Sequence, residues 1–308
     1  MRTLNLAPGL NASDIVLGCM RIAGMPVNEV AGLIAAAQDS GVNFYDHADI
    51  YGGGKSEEVF GKALKTLPIM REDIYLQSKC GIKTTDGPTY FDFSKEHILT
   101  SVDKILKRLD TDYLDVLLLH RPDALVEPEE VAEAFDRLEK AGKVRHFGVS
   151  NHNPGQMELL QKTVRQKLLF NQLQFSLMFT GMVDAGLNVN MKNDHSVVHD
   201  NGILDYCRLK EVTVQAWSPY QYGFFEGVFV GNKKFPEVNK ALEEMADKYG
   251  VSPSAIASAF LLRHPVSMQV VLGTTNKDRV KDIAKASDIT LSRKDWYALY
   301  RSAGNDLP

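Results

Sequence analysis

The chain has 308 residues, 44% apolar and 24% charged, with 35 Lys plus Arg against 39 Asp plus Glu and a net charge of −4. Those proportions exclude a disordered, collagen-like or coiled-coil chain, and the mild acidity without a long basic run excludes nucleic acid as a partner. Three separated cysteines (Cys19, Cys80 and Cys207) with no C-x-x-C signal neither a disulfide framework nor a zinc ribbon.

The first dozen residues carry turn chemistry at Pro8-Gly9 and Asn11 between short alternating runs, which predicts a hairpin able to plug one end of a barrel. Pro and Gly stand where a signal peptide needs an apolar core, and no stretch approaches the ~18 apolar residues of a membrane helix. A cytoplasmic chain with reduced thiols and no membrane partner is the expectation. Short apolar runs then recur as candidate strands at Ile15–Met20, Asn43–His47, Ile74–Lys79, Leu114–His120, His146–Ser150, Leu169–Gln174, Val212–Trp217 and Gln269–Gly273. Segments of helical period separate them. Val59, Phe60, Ala63, Leu64 and Leu67 follow a Ser56 cap; Ile98, Val102, Ile105, Leu106 and Leu109 follow a Ser94 cap. Val131, Ala134, Phe135, Leu138 and Ala141 lie between Pro128 and Gly142. Long loops span about 176–201 and 218–235, and a Ser292-capped helix with Trp296, Leu299 and Tyr300 ends the chain.

Strands apolar on both faces, each followed by a helix, mean a parallel sheet with covered faces. Eight such units predict a (β/α)8 TIM barrel, in preference to an open doubly wound sheet, as a single domain over residues 1–308.

A barrel keeps its chemistry at the C-terminal ends of its strands. There the sequence puts Asp46, Lys79 and His120 on three successive strands, with Tyr51 close enough to fold over the same mouth. A Tyr hydroxyl has a pKa near 10, and a neighbouring Lys ammonium lowers it while an Asp keeps that Lys charged and aimed. The group can polarise and protonate a carbonyl, but it holds no hydride, so a redox cofactor is required.

The residues Asp46, Tyr51, Lys79 and His120, within DHADIYGGGKSE, YLQSKCG and LLLHRPD, resemble the tetrad of the aldo-keto reductase superfamily. GKVRHFGVSN, FNQ, AWSPY and LGTTNKDR follow in the order of that family, nearest to its bacterial branch. The resemblance implies an enzyme that reduces aldehydes and ketones with NADP(H), Tyr51 being the acid, Lys79 and Asp46 tuning it, and His120 orienting the substrate. It implies that Ser150, Asn151 and Gln172 hold the nicotinamide carboxamide and that Trp217 stacks on the ring. Ser218, Pro219, Tyr220 and the loop that follows would cover the pyrophosphate. Gly273, Thr274, Thr275, Asn276 and Arg279 would surround the adenosine 2′-phosphate, a cation there favouring NADPH over NADH. The pattern departs at Gly273, where some members have Lys, and at Ile283, where many have Asn. The variable loops at Arg21–Val27, Thr84–Phe93, Pro122–Leu125 and Phe179–His199 would set the substrate, and a monomer suffices for such a site.

Two other functions compete: a barrel aldolase with Lys79 as Schiff-base former, and a non-catalytic subunit that binds NADPH for a partner. Asp49–Ser56 imitates a P-loop but has Asp49 in place of the first glycine. His195 and His199 have metal-ligand spacing in a long loop, and no metal is expected there.

Overall fold

Eight parallel strands close on themselves in the computed structural model, which describes residues 1–84 and 87–308. The expected hairpin comes first, β1 (Thr3–Ala7) pairing antiparallel with β2 (Leu10–Ser13). The barrel is built from β3 (Ile15–Gly18), β4 (Phe44–Asp46) and β5 (Tyr75–Cys80), continuing after a short ribbon of β6 (Ile82–Lys83) and β7 (Tyr90–Phe91). It is completed by β8 (Leu114–Leu119), β9 (Val144–Ser150), β10 (Leu168–Gln174), β11 (Thr213–Trp217) and β12 (Met268–Leu272), which pairs back onto β3. All eight candidate strands are present. The sequence extends several of them too far at the C-terminal end, because Met20, His47 and His120 have already left the sheet for the mouth.

Helices cover the outside: α1 (Val27–Asp39), α2 (Lys55–Leu64), α3 (Lys95–Leu109), α4 (Pro128–Lys140), α5 (Pro154–Gln161), α6 (Gly181–Leu187) and α7 (Ile203–Lys210). They continue with α8 (Pro236–Tyr249), α9 (Pro253–Leu262), α10 (Lys277–Ala284) and α11 (Arg293–Ser302). Ser94 caps α3 by accepting from the His97 N–H, and Ser292 caps α11 by accepting from Asp295. Ser56 does not cap α2. That helix starts at Lys55 after Gly54, and Ser56 is buried inside its first turn. Within the loop at 176–201, α6 forms, and its Asp184 accepts from the Tyr300 hydroxyl of α11 at 2.6 Å, which ties the loop to the last helix.

The barrel interior alternates as strand geometry requires. Val116 and Leu118 of β8 join Phe44, Phe170 and Val271 in one inner cluster, while Leu117 and Leu119 pack outward under the helices. Leu10 and Ala12 of the hairpin belong to that inner cluster, so the hairpin closes the N-terminal end. Its backbone is pinned there: Asn11 N–H donates to the Tyr75 hydroxyl at 3.0 Å and Ser13 N–H to Asn43 Oδ1 at 2.8 Å. The opposite end stays open for chemistry.

Candidate active site

Asp46 ends β4 and Lys79 lies next to last in β5, on neighbouring strands, which brings their side chains together inside the mouth. Tyr51 opens a 3₁₀ turn, Tyr51–Gly54, that bends the chain back over them. The turn depends on glycine. Gly52 has φ +59°, and a Cβ there would stand 2.4 Å from Cβ of Ala23. His120 follows β8, its ring 6.0 Å from that of Tyr51 and nearly perpendicular to it.

Lys79 is fully buried and uses all three of its ammonium protons. It donates to Asp46 Oδ2 at 2.8 Å, to the His47 carbonyl at 2.7 Å and to the Tyr51 hydroxyl at 3.1 Å. Burial works against the ammonium, but Asp46 and Tyr51 outweigh it and hold its pKa above the ordinary value. Burial pushes the Tyr51 phenol up, while Lys79 pulls it down less strongly, so the net shift is opposite to the one the sequence suggested. Tyr51 is therefore a protonated donor at neutral pH. Burial, with Lys79 and Arg121 adding to it, holds His120 well below its usual range, leaving a neutral imidazole. Its Nδ1 is buried without a partner, which leaves Nε2 for the cavity.

Around the tetrad the polar groups of four further strands converge. The Ser150 hydroxyl donates to the Gln172 carbonyl at 2.9 Å and accepts from the Asn151 amide at 2.7 Å. Trp217 donates its indole N–H to Asn151 Oδ1 at 3.1 Å. Asn151 and Ser218 adopt left-handed φ of 60° and 53°, a strained backbone of the kind that gathers at binding sites. Tyr220 lines the same cavity, and its hydroxyl lies 2.6 Å from that of Ser258. Asn276 caps α10 by accepting from the Arg279 N–H, and Arg279 itself is exposed with no carboxylate in ion-pair range among the described residues.

One elongated cavity of about 710 Å³ runs from Asp46, Tyr51 and His120 past Trp217 to Thr274 and Arg279. Of the cofactor residues the sequence nominated, Thr275 and Asn276 are not on its wall. Of the loops nominated for the substrate, Arg21 lines the cavity, whereas 122–125 and 179–199 do not. Thr85 and Asp86, within another nominated loop, lie outside the described residues. The cavity wall near Trp217 is formed instead by Phe224, Phe225 and Val228 from the loop after β11, and by Arg121. A second hollow of about 480 Å³, at the ends of α2 and α3, lies on the N-terminal side of the barrel away from this site.

Beneath the tetrad lies a glutamine layer of which the sequence nominated Gln172 alone. Gln77 and Gln172 both donate to Asp46 Oδ1, at 2.6 and 3.1 Å, and both donate to Gln215 Oε1. Gln215 donates to Gln77 and Gln269, and Gln269 donates to the Ser13 carbonyl. The signal was there: Gln77 precedes Lys79 by two, and Gln215 precedes Trp217 by two, so each shares an inward strand face.

A barrel with a Lys-held tyrosine beside a neutral histidine, at one end of a cavity of about 710 Å³ that reaches Arg279, defines a carbonyl oxidoreductase class. The family model described as "Aldo/keto reductase family" matches residues 14–302, and the chain belongs to that family of NADP(H)-using oxidoreductases. It is 36% identical to a 6-dehydroglucose reductase of Agrobacterium fabrum over 98% of each chain. It is 33% identical to the oxidoreductase YdhF of Escherichia coli over the whole of both. Among solved structures, the thermostable aldo-keto reductase Tm1743 superposes with a TM-score of 0.77 at 26% identity, covering 98% of this chain and 100% of that one. An aldo-keto reductase of Klebsiella pneumoniae, solved with NADPH, shares the fold at a TM-score of 0.77 and 24% identity, over 97% of this chain and 94% of its own.

Proposed function

We propose that the protein reduces an aldehyde or ketone to an alcohol, using NADPH, with Tyr51 as the proton donor. The observation that carries this is the threefold hydrogen bonding of Lys79, which aims one of its protons at the Tyr51 hydroxyl. The same bonding disfavours a Schiff base, since a fully buried ammonium with three acceptors has no free lone pair.

The residues present fit a nicotinamide dinucleotide by their own chemistry. Ser150, Asn151 and Gln172 supply amide and hydroxyl groups beside the Trp217 ring, and Arg279 supplies an unneutralised cation for a 2′-phosphate beside the α10 N-terminus. Ser218, Pro219, Tyr220, Gly273 and Thr274 line the stretch between. When bound, the cofactor supplies the hydride. Tyr51 donates a proton to the carbonyl oxygen as charge develops there, and Lys79, kept charged by Asp46, stabilises the phenolate left behind. His120, neutral, donates from Nε2 to the same oxygen and orients it. Phe224, Phe225 and Val228 give the cavity an apolar wall beside the Trp217 ring.

The test is NADPH consumption with a panel of aldehydes, wild type against Tyr51→Phe. Turnover in the wild type that falls at least a hundredfold in the variant is expected; equal turnover refutes the assignment.

A further inference from the structure

We infer that the substrate carries an anionic group, a carboxylate or a comparable oxyanion, received by Arg121; this rests on the carbonyl-reductase reading of the Tyr51 site. Arg71, Arg108, Arg121 and Arg263 are the half-buried arginines among the described residues. Three of them have acceptors. Arg71 donates to Asp115 at 2.7 Å and to two carbonyls, Arg108 to Glu57 at 2.7 Å, and Arg263 to the Leu291 carbonyl at 2.7 Å. Among the described residues Arg121 meets only aromatic faces, its guanidinium carbon 5.7 Å from the Trp217 ring centre and 5.9 Å from that of Phe224.

Those rings hold the guanidinium in place without neutralising it. A partly desolvated cation with no acceptor is costly, and an oxyanion of the ligand removes that cost with two parallel hydrogen bonds. Its position suits the reaction. Arg121 directly follows His120, so an anion on it leaves the rest of the molecule to reach the carbonyl position between His120 and Tyr51. Arg21 adds a second cation on the same wall, and no ion pair occupies it among the described residues. Asp46, the one carboxylate among the described residues of the cavity wall, is already paired with Lys79. Met20, Ile82, Phe224 and Val228 supply apolar surface between. The ligand these features select is an aldehyde or ketone with an apolar or aromatic body and an oxyanion at its far end.

The experiment compares 4-carboxybenzaldehyde with methyl 4-formylbenzoate, which differ by the charge, on the full chain with NADPH. The wild type should favour the acid in kcat/KM by about tenfold or more. Arg121→Met should lower kcat/KM for the acid about tenfold further than for the ester, Arg121→Lys should recover part of that difference, and the NADPH Kd should stay within about threefold. Equal kcat/KM for acid and ester in the wild type overturns the proposal while leaving the reductase reading intact. So does an Arg121→Met that weakens NADPH as much as the acid, because the arginine then serves the cofactor. Reduction of neither aldehyde, nor of any other on a panel, overturns both readings together.

Discussion

The Gln77 amide donates to Asp46 Oδ1 at 2.6 Å, beneath the ammonium that the same carboxylate holds. Gln77 is thus a positioning residue, three hydrogen bonds removed from the Tyr51 hydroxyl by way of Asp46 and Lys79. Its carbonyl accepts from Gln215 in return, which fixes the orientation of both amides. Gln77→Leu removes a donor from a buried carboxylate and orphans a Gln215 proton, at a cost of about 2 kcal/mol of stability. We expect kcat to fall about tenfold with a smaller change in KM. The alkaline limb of the pH profile should move upward, because a loosened Lys79 lowers the Tyr51 pKa less. Gln77→Asn should recover part of kcat. A stability loss with kcat and pH profile untouched would show the layer to be only structural.

Asp46 and Lys79 form a buried ion pair, both side chains almost without solvent contact. Removing one partner leaves the other charged and unpaired at a cost of about 3–5 kcal/mol, whereas replacing both with neutral residues is nearly neutral. Lys79→Met should therefore lower the denaturant midpoint strongly, and Asp46→Asn combined with it should restore most of the loss. Activity should stay absent in both. A double variant no more stable than Lys79→Met refutes the coupling, as read from a double-mutant cycle in urea.

The barrel was legible because each strand is an apolar run between amphipathic segments; β8, buried at every position, is the clearest case. Asp46, Lys79 and His120 were legible because strand C-termini face one mouth, and Tyr51 because it follows Asp46 closely enough to fold back over it. What escaped were contacts that cross the barrel. Gln215 meets Gln77 across 138 residues of sequence, and no local pattern reports a partner that distant. Arg121 was hidden by its motif, since a cation beside a histidine says nothing of whether a carboxylate awaits it. The Tyr51 shift was misjudged in sign because sequence supplies the Lys79 neighbour but not the depth of burial.

Arg279 projects from the first turn of α10 with no carboxylate partner among the described residues, at the far end of the cavity from Tyr51. Arg279→Ala removes one charge-assisted contact to a 2′-phosphate and no contact to a 2′-hydroxyl cofactor. We expect the NADPH Kd to rise about ten- to a hundredfold and that for NADH to change less than threefold. Fluorescence titration of both cofactors measures this directly. A parallel loss for the two would place the 2′-phosphate elsewhere.

His47 and Asp49 flank the Lys79 site and oppose each other in their effect on acid stability. His47 is buried edge-on to Phe60 with both ring nitrogens unpartnered, and burial, reinforced by Lys79, lowers its pKa to about 3. Burial and the Glu57 carboxylate raise Asp49 to about 7, against a weaker pull from Arg108. For His47 the unfolded chain takes up a proton first, so its contribution is lost as pH falls from about 6.5 toward 3. For Asp49 the folded chain keeps its proton longer, so its contribution is full below about 3.8 and lost as pH rises toward 7. Across their common window the slopes have opposite sign, each at most about 1.4 kcal/mol per pH unit. His47→Phe, which removes the two orphaned nitrogens, should gain stability over the wild type by a margin that widens toward pH 4. Asp49→Asn should show a margin that widens toward pH 7 instead. Urea midpoints at three pH values between 4.5 and 7 decide the matter, and a His47→Phe curve parallel to that of the wild type would remove the imidazole from the account.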